Sequence, residues 1–213
     1  MSPIVSVVGH SQSGKTTLIE KLIREMVSRG YNIATVKHTH HKVTPDQPGK
    51  DSWRHLQAGS SAAVLSSTDN VTLIKPMADA GINDIAQLLG EDYDLILAEG
   101  FKHDNAPKIE VHRKNTGPLL TGMTELVAIV SDEPLDSRIR QFGPDDVSGL
   151  ADLIVKDFIK PQGEQVALYV NDVAIPMKSF IKDIVANVMV GIAVSLKGVG
   201  EVKKLKLFLR KRD

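Results

Sequence analysis

The sequence feature that most constrains the fold is a glycine-rich motif that begins at Gly9. Residues 9–16 read Gly-His-Ser-Gln-Ser-Gly-Lys-Thr, which fits G-x-x-x-x-G-K-[ST] without a mismatch. A β-branched run at residues 4–8 precedes the motif, and apolar residues recur at helical spacing over residues 18–26 after it. A strand, this loop and a helix in that order predict a P-loop NTPase-type α/β fold, with a mostly parallel sheet flanked by helices.

The P-loop predicts how a nucleoside triphosphate would be held. In such loops the backbone N–H groups and the helix N-terminus face the phosphates. Lys15 is expected to reach the β- and γ-phosphates, Thr16 to place its hydroxyl on Mg²⁺, and Thr17 to contact the α-phosphate. The predicted nucleotide-binding residues of the loop are Gly9, Ser11, Gln12, Ser13, Gly14, Lys15, Thr16 and Thr17. The alternative, a glycine-bearing turn with a surface lysine, does not explain why strand, loop and helix agree.

Two acidic residues are candidates for the metal site. Glu99 follows the apolar run of residues 95–98, which is typical of a central parallel strand, and ligands of open α/β sheets bind at that end of the strands. Glu99 could hold Mg²⁺ or its water, with Gly100 letting the backbone approach the γ-phosphate. The alternative is a carboxylate that ends the strand and faces solvent. Asp51 could serve the metal, cap the short helix that it begins, or do both.

A third acidic residue is a candidate for reading the base. Residues 126–130 predict a strand, and Asp132 follows it closely. A carboxylate there could accept hydrogen bonds from N1 and N2 of guanine, which would select GTP over ATP. The chain has no Asn-Lys-x-Asp motif, so this prediction depends on position. A simple turn carboxylate in Asp132-Glu133-Pro134 is the alternative.

Histidines cluster after the second predicted strand, where His38, His40 and His41 would also lie at the ligand-binding edge. The chain has no cysteine, and these histidines lack the fixed spacing of helical or finger-like metal ligands. We therefore expect no transition metal, and interpret the cluster as solvated or ligand-contacting histidines.

Composition excludes several classes of partner and site. The 26 basic and 26 acidic side chains give no net charge, so nothing global attracts the chain to nucleic acid or anionic lipid. The absence of cysteine excludes disulfides and a cysteine nucleophile. The N-terminus lacks the basic and apolar regions of a signal peptide, and no stretch reaches membrane-spanning length, so a cytoplasmic location is expected.

The chain divides into two predicted domains, residues 1–160 and residues 161–213. In the first, strands are predicted at residues 31–36, 62–65, 71–74, 95–98, 108–112 and 126–130, and helices at residues 51–58, at residues 82–89 and from Pro144 to Phe158. The second is a small ββαβ module of the α+β class, with a hairpin around Asn171-Asp172, a helix over residues 180–192 and a strand over residues 203–209. So short a module buries little surface alone, so it should pack on the first domain or on a second subunit.

In order and spacing, the chain resembles the family of molybdopterin-guanine dinucleotide biosynthesis protein B (MobB) over residues 3–158. The resemblance lies in four segments, namely the P-loop through Thr17, Lys37-His38, Gly49-Lys50-Asp51-Ser52-Trp53-Arg54 with Ala58-Gly59, and residues 95–102 with Glu99-Gly100-Phe101-Lys102. Residues after 160 resemble an extension that only some members carry.

The resemblance implies a GTP-binding, usually dimeric adaptor in molybdenum cofactor biosynthesis. Such a protein assists the nucleotidyltransferase that joins GMP to molybdopterin, and is at most a slow GTPase. Molybdopterin itself and a molybdoenzyme chaperone are further candidate partners. By position, Lys15 and Thr16 would hold phosphate and magnesium, Glu99 and Asp51 would support the metal, and Asp132 would read guanine.

Two other functions remain open on the sequence. A small-molecule P-loop kinase would need an acceptor pocket and usually an arginine-rich lid. The arginines are poorly placed for a lid, since they fall on the first helix, after a strand, or before the closing helix. A metal-insertion GTPase is favoured only by the histidine cluster.

Overall fold

The structure is a computed structural model, and it describes residues 2–39, 47–160, 166–171, 173–202, 205–207 and 209. Contacts within the chain divide it into two compact units, Ser2–Val155 and Lys156–Asp213.

The first unit contains a six-stranded sheet with the order β2-β5-β1-β6-β7-β8. All of its neighbouring strands are parallel, which confirms the predicted α/β class. A separate antiparallel hairpin is formed by β3 and β4. The elements are β1 Ile4–Val8, α1 Lys15–Ser28, β2 Ile33–Lys37, α2 Asp51–Gln57, β3 Ala63–Ser66, β4 Val71–Ile74, α3 Ile82–Leu89, β5 Leu95–Glu99, β6 Lys108–His112, β7 Leu126–Ser131, β8 Arg140–Phe142 and α4 Val147–Ile154.

The core lies between the central strands and two helices. β1 and β5 are apolar and almost wholly buried, as expected of strands covered on both faces. α1 buries one stripe that includes Leu22 and Met26, and it contacts α4, which buries Leu150 and Ile154. Because parallel strands all point the same way, the loops that follow β1, β2, β5, β6 and β7 meet at one edge of the sheet.

Three local predictions need correction. β8 was not predicted, because its three residues Arg140–Phe142 carry no apolar run or alternation, and the strand forms by pairing with the edge of β7. The N-cap of α2 is Lys50, so Asp51 lies in the first turn rather than capping it. α4 begins at Val147 rather than at Pro144, because the Asp146 carboxylate accepts a hydrogen bond from the Gly149 amide and caps the helix there.

The second unit begins with the end of a π-helical turn, Val155–Ile159, and continues with an antiparallel hairpin and a helix. The hairpin strands are β9 Leu168–Val170 and β10 Val173–Ile175, and the helix is α5 Ser179–Val194. Residues 203, 204 and 208 of the predicted last strand lie outside the described residues, and residues 205–207 are not in a strand. Where the chain is described, no helix is long and apolar enough to cross a bilayer.

Candidate nucleotide-binding site

The loop between β1 and α1 has the backbone shape that its glycines predict. Gly9, Gln12 and Gly14 have positive φ angles of 147°, 62° and 94°. A Cβ on Gly9 would overlap the carbonyl oxygen of Val111 and lie 2.7 Å from the Ser13 hydroxyl oxygen, so no other residue fits there. Gly14 directly precedes the first residue of α1, which puts the loop at a helix N-terminus, where an anion is favoured.

Lys15 is folded back over the loop. Its ammonium donates to the carbonyl oxygens of His10 at 2.6 Å and Gly9 at 3.3 Å. Burial lowers the pKa of Lys15, the Glu99 carboxylate opposes this, and the nearby Lys102 and Lys37 lower it further. The ammonium is therefore partly buried beside one carboxylate and two other lysines, and a bound polyphosphate would supply further negative charge.

Thr16 and Glu99, which the sequence pairs as metal-binding candidates, are in contact. The Thr16 hydroxyl donates to Glu99 Oε2 at 3.0 Å. The other carboxylate oxygen, Oε1, lies 3.2 Å from the ammonium of Lys37, and the Glu99 side chain is only 15% exposed. A hydroxyl and a carboxylate side by side are oxygen donors of the kind that Mg²⁺ prefers, so this pair fits the predicted ion.

The structure does not bring Asp51 to this pair. Asp51 is exposed in the first turn of α2, and its carboxylate lies 3.8 Å from the guanidinium of Arg54. Within the described residues no contact joins Asp51 to Thr16 or Glu99, so its metal role stays a prediction.

The predicted histidine cluster is described only in part. The ring of His38 lies against that of Phe101, with centroids 5.0 Å apart, while His40 and His41 fall outside the described residues. No group of three or more histidine, aspartate or glutamate side chains in the described part of the chain could hold a metal ion.

A pocket of about 340 Å³ opens at the ends of β7 and β8. Asp132, the predicted base reader, lies in its wall, two strands along the sheet from the P-loop strand. The pocket residues contributed by β8 and the turn after it were not predicted, because β8 itself was not predicted from the sequence. The lining residues are Ser131, Asp132, Glu133, Pro134, Gln141, Phe142, Gly143 and Pro144.

Asp132 is held by residues that follow β6. Its Oδ1 accepts a hydrogen bond from the Lys114 amide at 3.1 Å, and its Oδ2 lies 3.9 Å from the guanidinium of Arg113. The same guanidinium lies over Gly14, 3.4 Å from where a Cβ would be. Arg113 thus connects the P-loop with the pocket at the ends of β7 and β8. The sequence shows only that Arg113 follows a strand; its link to the P-loop depends on the pairing of β6 with β1.

Two buried charged residues of β6 hold the loop of residues 113–125. The ammonium of Lys108 donates to the carbonyl oxygens of Asp104, Ala106 and Thr124. Glu110 is 1% exposed, and its Oε1 accepts a hydrogen bond from the Leu120 amide at 2.7 Å. Burial raises the pKa of Glu110, and the hydrogen bond from Leu120 opposes that rise. Neither residue was predicted, because a buried charge in a strand gives no periodic signal.

Comparisons with known proteins agree with this geometry. A family model described as MobB, molybdopterin guanine dinucleotide synthesis protein B, matches residues 4–132. The molybdopterin-guanine dinucleotide biosynthesis adapter protein of Haemophilus influenzae is 38% identical over 63% of this chain and 77% of its own length. The protein of the same name from Escherichia coli is 34% identical over 76% of this chain and 97% of its own length.

Solved structures extend the comparison to the fold. The crystal structure of Bacillus subtilis MobB superposes with a TM-score of 0.57 at 27% identity, covering 73% of this chain and 98% of that one. The matched residues of the family model contain the P-loop, Glu99 and Asp132, which are the residues that the fold brings to one edge of the sheet. The chain belongs to the MobB family.

Proposed function

We propose that this protein is a GTP-binding adaptor of molybdenum cofactor biosynthesis, which assists the nucleotidyltransferase that attaches GMP to molybdopterin. The observation that carries the proposal is the contact of Thr16 with Glu99 beside Lys15, at the N-terminus of α1. Relatives that match 63% and 76% of this chain are named as adapter proteins of molybdopterin-guanine dinucleotide biosynthesis.

The triphosphate would be held by the loop of residues 9–17. Backbone N–H groups at the start of α1 would face the phosphates, and Lys15 would exchange its carbonyl partners for the β- and γ-phosphate oxygens. Thr16 and Glu99 would hold Mg²⁺, which supplies positive charge between the same phosphates. This arrangement binds and orients a nucleotide without a strong base.

Guanine selection is proposed for the pocket at the ends of β7 and β8. The Asp132 carboxylate lies in the pocket wall and can accept two hydrogen bonds, which matches the N1 and N2 donors of guanine. Adenine does not present two donors on one edge, so it could not supply the pair of hydrogen bonds that guanine offers to the carboxylate.

An adaptor fits the described residues better than a kinase. On the helical layer, Arg24 pairs with Glu20, and Arg29 pairs with Glu25 and Asp152. Arg113 is held near Asp132, so none of these three supplies a mobile lid. A metal-insertion GTPase gains no support, because the described histidines do not form a metal-binding group.

We also propose that the protein is a homodimer in the cytoplasm. The hairpin of β3 and β4 exposes apolar side chains, with Val64 61% and Val71 71% exposed, and a second subunit is a suitable cover for them. Sedimentation of the purified chain tests this state directly. Molybdopterin and a molybdoenzyme chaperone remain candidate partners on the family resemblance.

The first experiment is calorimetry with GTP and ATP in the presence of Mg²⁺, with a turnover assay on the same sample. A clear GTP preference is expected, with turnover far below the ~1 to 100 s⁻¹ typical of kinases. ATP preference, or rapid turnover with a small acceptor, would contradict the adaptor proposal.

A further inference from the structure

Lys37 forms an ion pair with Glu99, the carboxylate that is proposed to hold Mg²⁺. Lys37 and Glu99 are direct register partners in the parallel strands β2 and β5, and the ammonium lies 3.2 Å from Oε1. Since register partners project from the same face of a sheet, strand pairing itself places the two side chains together. With Thr16 on Oε2, both oxygens of the carboxylate are engaged.

The exposure of the two partners differs sharply. The Glu99 side chain is 15% exposed and the Lys37 side chain is 65% exposed. A lysine with a solvated, flexible stem can move its ammonium by several ångströms, whereas the carboxylate is fixed at the strand end. Lys37 is therefore the mobile member of the pair.

The surrounding charge favours a polyanion. Lys37 and Lys102 both lie close enough to Lys15 to lower its pKa, and Glu99 is the carboxylate that raises it. A lysine released from Glu99 would therefore remain beside the phosphates that the P-loop binds.

Building on the proposed nucleotide site, we propose that Lys37 is a tethered cation that neutralises Glu99 in the metal-free protein, so that the phosphates can bind beside it, and is displaced from the carboxylate when Mg²⁺ binds. Lys37 then competes with Mg²⁺ at Glu99, and also supports nucleotide binding when no metal is present. An ordinary exposed ion pair would have neither effect, since such pairs contribute little.

The test is GTP binding by calorimetry, with either EDTA or a series of Mg²⁺ concentrations. Lys37→Met is expected to weaken metal-free GTP binding by about tenfold, the effect of losing one charge-assisted contact. At saturating Mg²⁺, the same variant is expected to weaken GTP binding much less. The Mg²⁺ concentration that gives half of the maximal increase in GTP affinity should be lower in the variant than in wild type. Lys37→Arg, which keeps the charge, should retain metal-free binding.

Two controls separate this role from general effects. Lys75→Met changes an exposed lysine after β4 and should behave as wild type in both conditions. In a Glu99→Gln background, Lys37→Met should no longer change the Mg²⁺ requirement, because the shared carboxylate is gone.

The outcomes distinguish this inference from the proposed function. If the wild-type chain binds no GTP with or without Mg²⁺, the nucleotide-binding function itself fails. A second set of outcomes concerns a wild-type chain that does bind GTP. If Lys37→Met then changes the GTP affinity equally with and without Mg²⁺, or changes neither affinity, the exchange of Lys37 and Mg²⁺ is overturned. A thermal unfolding midpoint for Lys37→Met equal to that of wild type would confirm that the variant keeps the fold.

Discussion

The imidazole of His10, inside the P-loop, is hydrogen bonded through Nε2 to the backbone carbonyl oxygen of Pro118, 2.8 Å away. The same ring packs against Gly117. Together with Arg113 over Gly14, this contact joins the loop of residues 113–125 to the phosphate-binding loop. The shape of one loop therefore depends on the other.

His10→Ala is expected to loosen residues 113–125 and to weaken GTP binding by roughly threefold to tenfold, since one hydrogen bond and its packing are lost. Hydrogen exchange should accelerate in that loop and stay unchanged in β1. His103→Ala, at an exposed position, is the matched control. Unchanged exchange of the loop amides in His10→Ala would show that the contact does not hold the loop.

Lys15→Ala is expected to abolish nucleotide binding, with a loss of about 100-fold or more, because the ammonium is a main counter-charge to the phosphates. Molybdenum cofactor maturation in cells should fail with it. Calorimetry and a cellular complementation assay check the two effects, with Lys75→Ala as control. Normal nucleotide binding by the Lys15 variant would remove the site assignment.

Asp132→Asn is expected to weaken GTP binding by about tenfold or more while changing ATP binding little, because guanine loses an acceptor for its N1 and N2 donors. The amide would instead suit xanthosine triphosphate, which carries an oxygen in place of the N2 donor. Competition among the three nucleotides measures the change. Equal losses for GTP and ATP would exclude Asp132 as the base reader.

Gly9→Ala is expected to lower the free energy of unfolding by about 3 kcal/mol or more, through strain at positive φ and overlap with the Val111 carbonyl oxygen. In a chain of this size, that corresponds to roughly 6–12 °C in Tm. Gly30→Ala also has positive φ but meets nothing within 4 Å, so it should cost only about 1 kcal/mol. Similar losses in the two variants would show that the overlap is relieved cheaply.

Glu110→Gln tests the buried carboxyl of β6. Burial raises the pKa of Glu110 in the folded protein, so folding favours the protonated carboxyl. The resulting stabilisation is fully present at pH values below the pKa of Glu110 in the unfolded chain. It is lost as the pH rises through the pKa of Glu110 in the folded protein. The glutamine keeps the acceptor for the Leu120 amide and cannot ionise.

The variant should therefore match wild type in acid and become the more stable protein as pH rises above the ordinary carboxyl range. Urea unfolding at a series of pH values measures the difference. A difference that does not change with pH would mean that Glu110 titrates normally.

Features that depend on a local residue pattern could be predicted from the sequence. Features that depend on which strands pair in the folded chain could not. The P-loop and Glu99 follow apolar strands in a fixed pattern, so both could be placed before the fold was known. Arg113 and Glu110 matter because β6 lies beside β1, a pairing that residue patterns do not reveal. β8 is held by its neighbour rather than by its own three residues.

Position also limited the choice among carboxylates. Asp132 directly follows β7, as its position after a predicted strand indicated, and it lies in the wall of a pocket; its role as base reader stays a prediction. For Asp51, the second metal candidate, the sequence left a helix cap and a metal role equally open, and the structure places it in the exposed first turn of a short helix with Arg54 as a partner.

The order of strands in the sheet also sets when the protein can first bind its ligand during synthesis. β1 leaves the ribosome well before its neighbours β5 and β6, which begin only at Leu95 and Lys108. The pocket at β8 and the helix that covers α1 come later still. The P-loop of a nascent chain should therefore be exposed long before the rest of the nucleotide site has been synthesised. Stable nucleotide binding by a ribosome-bound chain would then show that translation has passed α4, the last helix of the first unit.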